Sequence, residues 1–474
     1  MMKNFNEPII AILIGAGNRG MTAYARYAEL HPDELDFIAV AEPVEIRREK
    51  FADLHNIDPK LCFITWEDLL AEGKIADIAV ICTQDQLHVE PTLEALEKGY
   101  DVLLEKPMAH TLNGCVKLVK KAEEKNQILG ICHVLRYAPF FDKLYRLIND
   151  GLIGEIVNIS HRENLGWWHM AHSYVRGNWR NVEESSPMIL AKCCHDLDIL
   201  YWIVGSSPRK ISSMGNLMNF KKKNAPKGAP KYCVEGCPIQ DTCLYYAPRT
   251  YIDIEPILQM IDKSEKSFFK FIANLRRNHL KILSFLSKII PFLKQVRYWK
   301  EWPVEPLYHG HKEDYSDEAK FELLKTSKYG RCVYQCDNDV VDHQIVNIEF
   351  ENGVTASLTM QGFSENEGRS VRVDGTKGTL TGIFQLSGEK IDFYDHFTGQ
   401  KETLYNQPMN LTAHGGGDLR IVEEFLKSVK NRKTKPLTSS RESLESHLMA
   451  FAAEKSRLNE LVIDMNDFRN KLGL

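Results

Sequence analysis

The rhythm of apolar and polar positions changes partway along this chain. Over the first 130 residues, short apolar runs alternate with amphipathic stretches. Ile9–Ile14 is an unbroken, isoleucine-rich run, as in a strand buried on both faces of a parallel sheet. A glycine turn and a helix to about Leu30 follow. The same alternation predicts strands over Asp36–Ala41, Ile75–Cys82, Asp101–Leu104 and Leu129–His133. It predicts helices over 44–55, His88–Lys98 and Thr111–Asn126. Repeated β-α-β units imply a parallel sheet with helices on both faces. From Glu155–His161 onward the strands lengthen and alternate in polarity between glycine turns. Gln344–Glu351, Val354–Gln361, Arg369–Asp374, Thr379–Phe384 and Lys390–Tyr394 predict a large, mostly antiparallel sheet with one open face. Helices over 418–430 and 440–461 are expected on its other side. The division is therefore 1–133 and 134–474.

An insertion at about 219–330 interrupts the second region. Lys221–Lys231 is basic and loop-like, whereas Ser264–Lys300 sets Lys and Arg among Phe, Leu and Ile. This predicts a basic amphipathic helix or helix pair. It serves either as a lid or subunit contact with solvated charges, or as a peripheral membrane attachment. The charges that interrupt its apolar face favour the first.

A chain of 474 residues exceeds one ordinary core. Apolar residues at 43% and charged residues at 26% are those of a globular protein. A net charge of -4 gives no global field for nucleic acid. The N-terminal MMKNFNEPIIAILIGAG runs straight into a glycine turn without a signal-peptide pattern, and no stretch reaches the ~18 apolar residues of a membrane helix. A cytoplasmic protein without an integral membrane segment is expected.

Gly15-Ala16-Gly17-Asn18-Arg19-Gly20 is a G-x-G-x-x-G turn between a strand and a helix, the context that dinucleotide binding needs. Gly15 permits the tight turn, Gly17 lets the pyrophosphate approach the backbone, and Gly20 lets helix and strand pack. The helix N-terminus offers free N–H groups to the phosphates. Glu42 ends the second strand, where a carboxylate takes the adenosine ribose hydroxyls and repels a 2′-phosphate. NAD is therefore expected over NADP, although Arg47 and Arg48 lie nearby. The fold class expected is an α/β Rossmann domain followed by an α+β domain with an open sheet.

Four further segments carry a resemblance: Ile81-Cys82-Thr83 with His88; Glu105-Lys106-Pro107; His133-Val134-Leu135-Arg136-Tyr137; and His195-Asp196-Leu197-Asp198. In this order the set resembles the Gfo/Idh/MocA oxidoreductases, over essentially the whole chain except about 219–330. The resemblance implies substrates such as sugars, sugar phosphates, inositols or glycosides, and homo-oligomers formed through the open sheet. It implies cofactor contacts from Gly15, Ala16, Gly17, Asn18, Arg19, Glu42, Thr83, His88, Glu105 and Lys106. It also places Lys106 beside nicotinamide and the reacting carbon, where a desolvated lysine can act as acid or base. His195 is its implied partner, as proton relay or orienting group. Many members carry an aspartate four residues before this histidine; here Ala191 stands there, with Lys192 beside it. Lys192 is thus a third catalytic candidate, a second cation suited to an acidic substrate such as a uronate.

Aromatic faces and forked donors in Asn164–Arg180 suit a sugar ring, or else a buried cluster at the domain junction. Arg136, Trp168, His172, Arg176, Asp198 and His343 are the expected substrate contacts. Asp418 is expected to cap the helix after His414-Gly415-Gly416-Gly417. Of the eleven cysteines, Cys62, Cys82, Cys115 and Cys132 read as reduced core residues. Cys233, Cys237, Cys243, Cys332 and Cys336 lie in or beyond the insertion without the paired spacing of a zinc ribbon, so free thiols, a structural metal and a redox pair all stay open. Three functions compete: an NAD-dependent dehydrogenase; a redox-neutral glycosidase or lyase that retains its NAD; and a non-catalytic dinucleotide-binding protein.

Overall fold

The computed structural model describes residues 7–263, 267–308, 314–408 and 413–474. Strands β1 (Ile9–Ile14), β2 (Leu35–Ala41), β3 (Cys62–Phe63), β4 (Ile78–Ile81), β5 (Asp101–Leu104) and β6 (Leu129–Ile131) form an all-parallel sheet. Its order is β3-β2-β1-β4-β5-β6, so the crevice outside the carboxyl ends of β1 and β4 is where a ligand binds in such sheets. The β1 and β4 side chains are almost wholly buried, which explains their unbroken apolar runs.

The second sheet holds β7 (Ile156–Gly166), β8 (Pro208–Asn216), β9 (His343–Phe350), β10 (Thr355–Ser364), β11 (Gly368–Gly375), β12 (Gly378–Gln385), β13 (Gly388–Asp395), β14 (Lys401–Pro408) and β15 (Ile463–Asp464). Its order is β14-β13-β12-β11-β7-β10-β9-β8-β15, antiparallel except where β10 runs parallel to β7. The helices Cys194–Val204 and Ser440–Asn459 pack on one face. The other face leaves Ile345 and Ile383 exposed at 44% and 46%.

Three expectations change. Strands β3, β8, β14 and β15 and the helix Pro139–Asn149 had no clear signal. The basic segment forms three short helices, Ser267–Asn278, Leu280–Leu286 and Pro291–Arg297, instead of one or two long ones: His279 leaves helical geometry at φ −134°, ψ 45°, and the third helix begins at Pro291. Residues 264–266 of that segment lie outside the described residues. Finally, Gly416 occupies the cap of the helix Gly417–Lys430, and Asp418 lies in its first turn with its carboxylate on Arg19 and His414.

Candidate functional site

The glycine turn joins β1 to a helix that opens with the π-turn Arg19–Tyr24. At Gly15, φ is +94°, and a Cβ would lie 2.7 Å from the Cys82 carbonyl oxygen. A Cβ on Gly17 would meet nothing within 4 Å. The turn thus presses against β4 on one side and opens on the other into a cavity of about 110 Å³. Ala16, Asn18 and Thr22 line this cavity together with Arg47 and Lys50. These features fit a dinucleotide: an open glycine backbone, a helix N-terminus, and Glu42 at the end of β2. The Glu42 carboxylate is buried and accepts from the Ala16 N–H at 2.8 Å and the Val44 N–H at 3.0 Å, which fixes the turn.

The far wall of this cavity comes from the insertion: Lys300, Glu301, Trp302, Glu305, Tyr308 and Tyr315. Arg47 pairs with Glu305 at 3.0 Å across it. Trp302 reaches further, packing its ring on Trp168 (4.9 Å), His169 (4.8 Å) and His172 (5.4 Å). Nothing in the sequence pattern had singled out Trp302, because its partners lie more than a hundred residues away.

Two of the expected cofactor residues turn inward. Arg19 donates to Glu105 (2.6 Å), Tyr24 (2.6 Å) and Asp418 (2.8 Å). Burial works against ionising Glu105, but Arg19 and Lys106 outweigh it and hold the carboxyl below its usual range. These side chains therefore anchor the turn to β5 and to the helix Gly417–Lys430. Only the backbone of Arg19 is left for a ligand. Thr83 donates its hydroxyl to Leu87 O, and the buried His88 ring ties Thr83 O to Pro107 O at 3.1 and 2.7 Å.

The loop after β5 is pinned on both sides. His88 holds Pro107 O, and His447 Nε2 accepts from the Met108 N–H at 2.8 Å. Between them, Lys106 extends its amine to the Ala191 carbonyl at 2.9 Å. The His195 ring lies 5.6 Å from that of His133 and 5.9 Å from that of His414. Burial and the charge of Lys106 push His195 well below the ordinary histidine range, so it is neutral near pH 7. Its Nδ1 is buried without a hydrogen-bond partner among the described residues.

Lys192 sits in a buried charged cluster. Its amine lies 3.4 Å from Glu163 and 3.8 Å from Glu367. Arg369 contacts Glu163 at 2.7 Å and Asp196 at 2.8 Å, and His169 contacts Glu367 at 2.5 Å. Burial opposes the charge on Lys192, yet Glu163 and Glu367 outweigh it and raise its pKa. Burial likewise tends to raise the Glu367 carboxyl, but His169 and Lys192 hold it at about 2. Lys192 is therefore a fixed cation whose charge is already matched, which removes the reason to require an acidic substrate.

The remaining expected substrate contacts fall elsewhere. Arg136 and Asp198 form a buried bidentate pair with both bonds at 2.6 Å, joining the short turn Val134–Tyr137 to the helix Cys194–Val204. His343 pairs along the strands with Gln361, and Gln361 with Asn164. Directly paired residues share a face, so His343 lies on the face opposite Glu163 and contacts the buried Asp342. Arg176 is a buried strut whose donors go to Arg331 O (2.7 Å), Tyr245 O (2.6 Å) and Cys233 Sγ (3.6 Å). His172 is bonded to Tyr251 and stacked on Tyr329, and Trp168 is buried under Trp302. Asp85 was not anticipated: it is buried and accepts from Trp179 Nε1 and Ser186 Oγ, linking the β4 turn to the aromatic segment. All the cysteines are free. Cys233, Cys237, Cys243 and Cys332 border one apolar pocket, and among the described residues no group of three or more His, Cys, Asp or Glu is placed to hold a metal ion.

Comparison with known proteins agrees with this architecture. Residues 9–133 match the Gfo/Idh/MocA family model described as an oxidoreductase family NAD-binding Rossmann fold. Residues 146–246 and 304–461 match its C-terminal alpha/beta domain, leaving 247–303 outside the matched segments. The YteT protein of Bacillus subtilis is 21% identical over 391 residues, 80% of this chain and 78% of that one. The 2,7-anhydro-N-acetylneuraminate hydratase of Escherichia coli is 28% identical over 148 residues, 31% of this chain and only 39% of the enzyme. An oxidoreductase from Agrobacterium radiobacter, solved in complex with NAD+, L-tartaric acid and magnesium, superposes with a TM-score of 0.62 at 15% identity, covering 97% of this chain and 99% of that one.

Proposed function

Because the chain belongs to the Gfo/Idh/MocA oxidoreductase family, we propose that it binds NAD at the glycine turn and interconverts a hydroxyl and a carbonyl on a sugar, uronate, cyclitol or glycoside. The observation that carries this reading is Lys106. Its loop is pinned by His88 and His447 at the carboxyl end of a parallel strand, while its amine, among the described residues, is hydrogen-bonded to one carbonyl oxygen. Gly17, the Asn18–Arg19 backbone and Glu42 would hold the dinucleotide, and its nicotinamide would supply the hydride acceptor or donor. Lys106 would turn from Ala191 to the substrate hydroxyl and take up or return its proton. Neutral His195 is in a state to accept a proton or to orient that hydroxyl. Glu42, which would face the ribose, supports NAD over NADP. The apolar residues on the open sheet face support a homo-oligomer formed there.

A second reading, the redox-neutral one with retained NAD, is favoured by one feature. The insertion roofs the adenosine end of the cavity, with Arg47 and Glu305 bridging it. The hydratase relative fits that chemistry. Both readings are tested by purifying the protein without added cofactor, denaturing it and quantifying released dinucleotide. Near one NAD per chain selects the retained form, to be followed by glycoside cleavage assays. Little or none selects exchange, to be followed by NADH formation on sugars, uronates and inositols. An enzyme that neither carries nor binds NAD or NADP overturns the proposal.

A further inference from the structure

The segment outside the matched family regions has a surface that the catalytic reading does not use. Helices Ser267–Asn278, Leu280–Leu286 and Pro291–Arg297 pack together through Ile272, Leu275, Leu283, Leu293 and Val296, a small core of their own. Beyond that core they hold a second set of large apolar side chains in water. Phe268, Phe271, Phe285 and Ile289 are 59%, 56%, 63% and 68% exposed. Phe292 joins them, its ring stacked on Phe268 at 6.2 Å between the first and third helices. A water-facing apolar set of this kind on a polar chain marks an interaction site.

The charges identify the partner, and they reverse the preference for solvated charges drawn from the sequence, because the arginines that interrupt the apolar face turn onto partners within the fold. Between residues 267 and 300 the sequence has no Asp or Glu. The arginines are used inward: Arg276 on Ile252 O, Arg277 on Glu255 and Asp262, Arg297 on Asp317. The lysines are not. Lys270, Lys281, Lys288 and Lys294 are exposed, and none has an ion pair among the described residues. Exposed phenylalanine and isoleucine beside unneutralised lysines is the composition of a surface that lies in a lipid headgroup region and meets anionic phosphates. A second copy of this chain is the poorer occupant, because two such faces would bring like charges together.

We infer that this three-helix unit docks the protein peripherally on an anionic bilayer, with Phe268, Phe271, Phe285, Ile289 and Phe292 entering the acyl boundary and the four lysines on the headgroups. The attachment is peripheral: among the described residues no helix is long and apolar enough to cross a membrane. The inference stands independently of the reaction proposed above.

The test is co-sedimentation of the full chain with phosphatidylglycerol–phosphatidylcholine vesicles and with phosphatidylcholine vesicles, at low and high salt. The expected result is binding to the anionic vesicles that weakens with salt and is at least tenfold poorer on phosphatidylcholine. F285S/I289S and, separately, K281E/K288E should each reduce anionic-vesicle partitioning tenfold or more. Circular dichroism and dinucleotide binding should be unchanged in both. Absence of sedimentation with anionic vesicles overturns the inference, as does binding that both variants retain. A wild-type dimer in light scattering that F285S/I289S converts to monomer also overturns it, since a second copy would then cover the face.

Discussion

Replacing Gly17 by alanine separates cofactor binding from folding, which the other two glycines of the turn cannot do. A Cβ at Gly17 meets no atom within 4 Å, and its φ lies outside the left-handed range, so the folded chain accepts the methyl. The stability change should fall within about 0.5 kcal/mol, as for an exposed site. If a pyrophosphate passes over this backbone, however, the methyl stands in its path. Overpacking of that kind costs about 1–3 kcal/mol, or roughly 5- to 150-fold in Kd. Gly15→Ala and Gly20→Ala serve as opposite controls. The first puts a Cβ 2.7 Å from Cys82 O at φ +94°, and the second puts one 2.3 Å from Gly15 O, so both should lower the melting temperature. Calorimetric titration with NAD and a thermal melt on each variant complete the experiment. A Gly17→Ala protein that melts like wild type and binds NAD equally well would refute the cofactor placement.

Lys106→Met should cut turnover by roughly 10²–10⁴-fold while the NAD Kd stays within about twofold, measured by steady-state kinetics and titration. Asp198→Asn strands the buried Arg136 guanidinium and should cost about 3–5 kcal/mol. At about 1 °C per kcal/mol for a chain of this length that is a melting shift of roughly 3–5 °C, with KM unchanged. A raised KM with an unchanged melting temperature would instead make the pair a substrate contact. Burial holds His133, His172 and His195 well below the ordinary histidine range and His447 at about 3. Their stabilising effect is complete above the unfolded pKa of about 6.5 and is lost as pH falls below it; for His447 the loss is about 2 kcal/mol by pH 5. Urea midpoints that stay flat between pH 7 and 5 would contradict this.

What could be read from the sequence was what neighbouring residues encode together. The run Ile9–Ile14, the glycine turn and Glu105-Lys106-Pro107 each sit within one strand and its following loop, so their periodicity and spacing survive in the linear chain. The short strand β3, only Cys62–Phe63, and the edge strand β14, exposed or half-buried throughout, carry no apolar pattern to detect. The partners of the charged residues were hidden for a different reason. Arg19 meets Glu105 across 86 residues and Asp418 across 399, and no local signal marks such a pair. Arg136 and Asp198 lie in motifs that suggest a ligand, yet they satisfy each other. A motif predicts which side chains gather at a site. Only the packing decides which of them still has a free donor when they arrive.

Lys192 and Trp302 show how that distinction changes the chemistry proposed. Taken alone, Lys192 is an extra positive charge and points to an anionic substrate. With Glu163, Glu367 and Arg369 around it, the local field is close to balanced, and the lysine ties the end of the helix Met188–Ala191 to Glu163 in β7 and to Glu367 just before β11. Charge at Lys192 therefore does not point to one class of substrate. Trp302 packs on Trp168, His169 and His172, and it also borders the cavity at the glycine turn. One side chain from the insertion thus touches both compartments. Any movement of the insertion that opened the cavity to release a dinucleotide would also withdraw Trp302 from the aromatic cluster. On the retained-cofactor reading proposed above, release of the dinucleotide would then require Trp302 to leave Trp168, His169 and His172.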